Sequence, residues 1–258
     1  MKHSVLIKRI LTATFFIGIV LMLYPPISNY NNNRSQSKAV QSYQNTAGQI
    51  ADDDKETILR QAQDYNRWLA AAENGFYEPD SVAGYAECLD MTGTGLMGYL
   101  NIDKIHLELP IYHGVDPEIL QIAVGHLPGT SLPVGGIGTH TVLSGHRGLP
   151  SARLFSDLDK MEIGDRFTIT VLSEVLTYQV EQIKTVEPYE VDDLQLAEGQ
   201  DLCTLFTCTP YGTIHSGFSS VRTVSRRTSR LSGGCIIQTM PTGSRPRSLR
   251  RSLQHRYC

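Results

Sequence analysis

Hydrophobic positions change their period twice along this 258-residue chain. Near the N-terminus they are continuous. Lys2, Lys8 and Arg9 precede an apolar run from Ile10 to about Tyr24, which Pro25-Pro26 ends. A free-standing span needs about 20 apolar residues, a length this run approaches only with Val5-Leu-Ile7 before it and Ile27 after it. No small-x-small cleavage site follows, so the pattern predicts an uncleaved transmembrane anchor over residues 1–28 rather than a signal peptide. Basic residues ahead of the span place the N-terminus in the cytoplasm and everything after the span outside.

Residues 29–45 are rich in Asn, Ser and Gln, show no apolar period, and read as a polar linker. From 46 to 75 a spacing of three to four returns in Ile50, Ile58, Leu59, Ala62, Tyr65, Trp68 and Leu69, which predicts an amphipathic helix. Asp52-Asp-Asp54 suits its N-terminal dipole and Gly75 its C-cap, while Tyr65, Trp68 and Leu69 form the face expected to dock. Residues 76–95 read as an irregular loop. The pattern then shortens to strands over 98–102, 107–111, 138–143, 166–172, 176–183 and 202–207, separated by turn signals. Such spacing over 96–212 predicts an all-β domain, a small barrel or sandwich with a core of its own. Gly135-Gly-Ile-Gly138 lacks nucleotide-loop spacing and a βαβ setting, and is a turn.

Charge changes the picture only at the C-terminal end. The chain is formally −3, yet residues 213–258 hold nine arginines and no Asp, Glu or Lys, leaving 14 basic against 26 acidic residues in the rest. A basic tail of this kind suits an anionic polymer or a lipid surface. Arginine and serine without lysine is also what a shift of reading frame in the gene would produce.

The five cysteines (Cys88, Cys203, Cys208, Cys235 and Cys258) are an odd set without regular spacing, so no disulfide framework is readable. Cys203 and Cys208 have opposite parity on one strand, which argues against their pairing. A cysteine at a strand end is more often packing than catalysis. In Thr204-Leu-Phe-Thr-Cys208-Thr-Pro-Tyr-Gly212, however, an apolar β-prone run delivers Cys208 to a Pro/Gly turn at the rim of a sheet. A thiol there becomes a nucleophile when a neighbour takes its proton. His146, in the glycine-flanked Ser144-Gly-His-Arg-Gly148, is the candidate. His113, His126, His140 and His146 match no metal-binding spacing. Asp157, Asp159, Glu162 and Asp165 read as a solvated face rather than a calcium site.

Together, His126-Leu-Pro-Gly-Thr-Ser-Leu-Pro133, Thr139-His-Thr-Val-Leu-Ser-Gly-His146-Arg-Gly-Leu-Pro150, Leu154-Phe-Ser-Asp-Leu-Asp159 and the segment ending in Cys208-Thr-Pro-Tyr-Gly212 strongly resemble the sortases. The extended CTPYG and HRGLP forms resemble class C, the pilin-polymerising branch of these Gram-positive cell-surface enzymes. The resemblance covers about Tyr99 to Gly212. It implies a closed eight-stranded β-barrel and a membrane-held transpeptidase without a cofactor. Its expected partners are LPXTG-type pilins and an amine acceptor, with no nucleic acid. Carried over, Cys208 is the acyl-thioester nucleophile and His146 the acid/base. The family's third residue is an arginine several positions after the cysteine. Here Gly217 stands near that place and Arg222 is the nearest arginine, so the pattern, and with it the expected last strand, breaks after Gly212. The barrel would then be left with an unpaired edge. Class C enzymes also carry a lid before the barrel. Residues 76–95 are correctly placed for one, and Glu78-Pro-Asp80 is a loose match to its anchor.

Overall fold

The computed structural model describes residues 5–72, 74–79, 82–184, 194–196 and 198–207, with the backbone of 2–4, 185, 208–209, 223–227 and 234–241. A single helix, α1 (Lys2–Gln49), runs through the apolar segment and through the stretch expected to be a linker. Both corrections have physical reasons. Pro25 and Pro26 lie inside the helix. Being adjacent, they free only the carbonyls one turn back and do not end it. Residues 29–45 are helical because one face docks: Gln36, Val40, Tyr43 and Ala47 are buried, at spacings of four, three and four. An 18-residue window of this helix has mean hydropathy 2.0, none of it buried, long and apolar enough to cross a membrane.

Helix α2 (Asp52–Ala71) begins with the expected acidic turn but is capped by Ala72, not Gly75. Its docking face is Ala62, Tyr65, Asn66 and Leu69, whereas Trp68 is 61% exposed. At about 100° per residue, position 68 falls off the stripe that 62, 65, 66 and 69 define. Asn66 takes the place given to the tryptophan. Its amide donates to the Leu132 carbonyl (3.1 Å) and accepts from the Leu132 N–H (2.7 Å).

The remainder is a closed barrel. Its strands are β1 (Leu96–Ile102), β2 (Leu107–His113), β3 (Val124–His126), β4 (Thr139–Ser144), β5 (Arg166–Val171), β6 (Glu174–Thr185), β7 (Asp201–Thr209), β8 (Thr223–Arg227) and β9 (Gly234–Pro241), with a short helix α3 (Pro117–Leu120) before β3. They follow one another round the barrel as β1-β2-β3-β4-β7-β9-β8-β6-β5, and β5 pairs back with β1. The six predicted strands are all present. The count is nine rather than eight because β3 is a three-residue strand and the tail supplies two. The expected open edge is therefore filled: β9 lies parallel to β7 from Leu202 to Thr209, and β8 pairs with β6. The tail contains a β-prone run, Cys235-Ile-Ile-Gln-Thr239, and the unpaired backbone groups of β7 are what such a run satisfies.

Two buried polar clamps tie the outer elements to the barrel. On α1, the fully buried Tyr43 hydroxyl donates to the Met97 carbonyl (2.7 Å) and accepts from the Leu172 N–H (2.8 Å). Burial pushes this phenol up to about 12. In the 76–95 loop, the Tyr85 hydroxyl meets His126 Nδ1 (2.9 Å) and accepts from the Gly114 N–H (3.0 Å), while its ring stands edge-on to His113. The other nitrogen of His126, Nε2, lies 2.8 Å from the Ser131 carbonyl, an acceptor. Nε2 must therefore hold the proton, and Nδ1 accepts from Tyr85. Complete burial holds His126 neutral, at about 3.

Replacing Tyr43 by Phe orphans one buried carbonyl and one buried N–H, and should cost about 1–3 kcal/mol; a denaturation midpoint measured against the unchanged protein tests this. For His126 the folded value lies below the unfolded one of 6.5. The unfolded chain thus takes up a proton that the folded chain refuses, and stability falls as pH drops from about 6.5 towards 3, by up to about 1.4 kcal/mol per pH unit. His126→Asn should flatten that acid limb by one proton's slope; an unchanged limb in pH-dependent unfolding would contradict it.

Candidate active site

Two of the barrel's neighbours run in the same direction. β4 and β7 are parallel, with Thr139 opposite Asp201, Val142 opposite Thr204 and Ser144 opposite Phe206. The Gly145 N–H continues the ladder by one bond, to the Phe206 carbonyl at 3.0 Å. His146 and Cys208 each lie two residues beyond the Ser144–Phe206 pair, at the same end of adjacent strands. They are 62 positions apart in the sequence, and each follows a member of the last paired position of β4 and β7. Parity sorts what surrounds them. Leu143, Cys203 and Leu205 belong to the main core inside the barrel. Val142 and Phe206 instead join Val115, Leu120, Leu127 and Leu194 in a separate apolar cluster, against which Phe76 of the 76–95 loop packs. Val142 and Phe206 lie near the ends of β4 and β7 that precede the candidate residues. Sequence reasoning missed this cluster, because its members come from five separate segments with no common period.

The loop after β4 is tightly held. The Gly145 backbone passes so close to the Phe155 ring that a Cβ there would lie 2.8 Å from it. The Phe155 N–H donates to the His146 carbonyl (3.0 Å), and the Gly148 N–H donates to Ser156 Oγ (2.9 Å). Arg147 pairs with Asp159 at 2.8 Å, facing away from general acid–base duty. The His146 side chain is half-buried, and desolvation lowers its imidazole below the ordinary 6.5. Near neutral pH it is uncharged and able to accept a proton.

The other candidates separate cleanly. His140 is buried with Nδ1 2.7 Å from the Gln195 carbonyl and Nε2 2.7 Å from Thr204 Oγ1, so both nitrogens have structural partners. Cys203 is fully buried in the core, as expected. Burial, and then the neighbouring Glu87, raises the Cys88 thiol and makes it a poorer nucleophile. Asp157 pairs with Arg153 and Lys160, Asp159 with Arg147, and Glu162 and Asp165 with Lys104. Among the described residues no group of three His, Cys, Asp or Glu could hold a metal ion. Gly217, Arg222 and Cys258 lie outside the described residues, as does Asp80 of the Glu78-Pro-Asp80 match.

Residues 100–226 match the family model of the sortase domain. Among curated proteins, the chain is 31% identical over 114 residues to sortase D of Bacillus subtilis, covering 44% of this chain and 54% of that one. It is 30% identical over 117 residues to sortase A of Streptococcus agalactiae, covering 44% and 47%. The chain thus spans about half the length of the curated relatives it matches. Solved structures agree over more of it. Sortase C1 from Streptococcus agalactiae superposes with a TM-score of 0.63 at 45% identity, covering 68% of this chain and 92% of that one. Sortase C of Streptococcus pneumoniae gives 0.63 at 41%, covering 73% and 96%. Sortase C from Clostridium perfringens gives 0.62 at 33%, covering 74% and 99%. With a closed barrel and nearly the whole of these class C structures covered, the chain belongs to the sortase family.

Proposed function

We propose that this protein is a membrane-anchored cysteine transpeptidase that cleaves an LPXTG-like sorting signal and passes its acyl part to an amine, joining pilin subunits. The observation that supports the reading is the β4–β7 register, in which Ser144 pairs with Phe206, two residues before His146 and Cys208 on their respective segments. In this reading the Cys208 thiol gives its proton to His146 as its sulfur attacks the carbonyl of the Thr–Gly bond, and a thioester forms. His146 delivers a proton to the departing glycine amine. An acceptor amine, such as a pilin lysine, then attacks the thioester. His146 removes its proton, an isopeptide bond forms, and the thiol is released. Class C relatives support the pilin assignment, the pneumococcal one being a structure that bears on pilin substrate specificity. The apolar part of α1 serves as the anchor and holds the catalytic domain outside the cell. The 76–95 loop serves as the lid, fixed at Tyr85 and resting Phe76 on the apolar cluster that includes Val142 and Phe206. Water in place of the amine would turn the same thioester into hydrolysis.

A second reading rests on the change of composition after Gly212. There the arginine that would steady the oxyanion has no counterpart in pattern, and loss of one such donor typically costs on the order of a hundred- to a thousand-fold in rate. The chain would then be a frame-disrupted, non-catalytic surface protein that binds sorting signals without turnover.

Incubation with an LPXTG-type peptide and detection of the acyl-enzyme by mass decides between the readings. Transpeptidation predicts a thioester that disappears in Cys208→Ala, and a rate about 10²–10⁴ lower in His146→Ala. Cleavage that survives Cys208→Ala would overturn the mechanism. Peptide binding without any acyl-enzyme would favour the second reading. Translation of the other two frames beyond the Gly212 codon tests the tail itself: an HR-containing strand followed by an apolar span would show it to be an artefact, and its absence from both frames would sink the frameshift idea.

A further inference from the structure

Docked α1 does more than bury an apolar stripe. Its inward face continues towards the membrane as Asn29, Asn32 and Gln36, then Val40, Tyr43 and Ala47, at spacings of three, four, four, three and four. The three amides on this face bond to loop backbone, not to one another. Asn29 Oδ1 accepts from the Arg153 N–H (2.9 Å), Asn32 Nδ2 donates to the Ser151 carbonyl (2.8 Å), and Gln36 Nε2 donates to the Ile122 carbonyl (2.7 Å).

The first two contacts fall on the loop that carries His146. Arg153 is followed by Leu154, whose φ of 37° is a left-handed conformation that a leucine rarely adopts. Phe155 comes next, and it both donates to the His146 carbonyl and packs its ring on Gly145. A conformation of this kind persists only where both sides are held. The Arg153 side is held by Asn29 and the Phe155 side by His146 itself. A chain of direct bonds therefore runs from the stem helix to the histidine backbone in three residues. Asn29 and Asn32 are about 4.5 Å apart along the helix axis, so two bonds fix both the position and the tilt of the 151–153 segment.

We propose that Asn29 and Asn32 are positioning residues for His146: the membrane-proximal stem sets the loop that holds the acid/base in place and partly shielded from water. The functional importance of His146 rests on the transpeptidase reading, but the coupling itself does not. Gln36 supplies the contrast, since it lies on the same stripe and makes a bond of the same kind to Ile122, away from that loop.

The experiment follows the histidine ring signals of the full chain in lipid nanodiscs by NMR as pH is varied, with His146 assigned from His146→Gln. No substrate is needed, so a chain inactive for other reasons still answers the question. In Asn29→Ala/Asn32→Ala the loop loosens and water reaches the ring. The His146 midpoint should then rise from its depressed position towards the ordinary 6.5. Gln36→Ala should lower the thermal midpoint yet leave the His146 titration in place. The proposal is overturned if the double variant leaves the His146 midpoint unmoved, or if Gln36→Ala shifts it equally. A thioester test failing alongside a moved midpoint would remove the transpeptidase reading and leave the coupling standing.

Discussion

Everything that brings chemistry together here depends on one parallel pairing. Adjacent parallel strands cannot be joined by a tight turn, so the chain between β4 and β7 must leave the sheet and return. It does so through the 145–160 loop, the β5–β6 hairpin and the segment before β7. Because both strands point the same way, whatever follows them emerges at one rim. A register slip of one residue would move Cys208 to the parity of Cys203 and Leu205, on the core side. The register is defended by that same alternation. Leu143, Cys203 and Leu205 fill the main core, while Val142 and Phe206 fill the outer cluster. Neither set can be exchanged without carrying polar groups such as Thr204 and His140 into the main apolar core.

A second constraint, the satisfaction of buried polar groups, explains how outer elements are attached. The elements around the barrel are not joined to it by apolar burial alone. Tyr43, Asn66 and Tyr85 each reach into the barrel's irregular backbone and meet two groups. Each clamp is sensitive to position in a way an apolar contact is not. Leucine packing tolerates sliding by an ångström, whereas a hydrogen bond is lost by then. Directional contacts thus set the seat of α1, α2 and the 76–95 loop, and apolar contacts supply most of the attraction.

This division also accounts for what the sequence shows and hides. The strands were readable because their alternation or apolar runs are the signal that pattern reading detects. Cys208 and His146 stood out in the sequence because glycine and proline border them: Gly145 and Gly148 around His146, Pro210 and Gly212 after Cys208. Residues 29–45 misled for a definite reason: the docking stripe begins Asn29, Asn32, Gln36, and a polar residue that bonds to loop backbone leaves no trace in a hydrophobic period. Trp68 misled in the opposite sense. Its size suggested burial, yet Asn66, two positions earlier, occupies the docking face. Tyr85 lies among Gly84, Ala86 and Glu87 without any periodic context, so only the folded chain shows its three-way contact with His113, Gly114 and His126.

The electrostatics of the site follow from the same architecture. A half-buried imidazole lowered by desolvation is neutral near neutral pH. In the proposed mechanism the Cys208 thiol gains no standing ion pair from an imidazolium, and its proton must move when the bond forms. On the transpeptidase reading this makes His146 a partner in each proton transfer rather than a fixed positive charge, and its placement matters more than its charge. Proton transfer between heavy atoms needs hydrogen-bond distance, about 2.6–3.2 Å. Movement of the 145–155 loop by one ångström would carry the ring out of that range. Two amide bonds from a helix that also bears the long apolar segment are a direct means of preventing it, since the helix is seated independently by Gln36, Val40 and Tyr43.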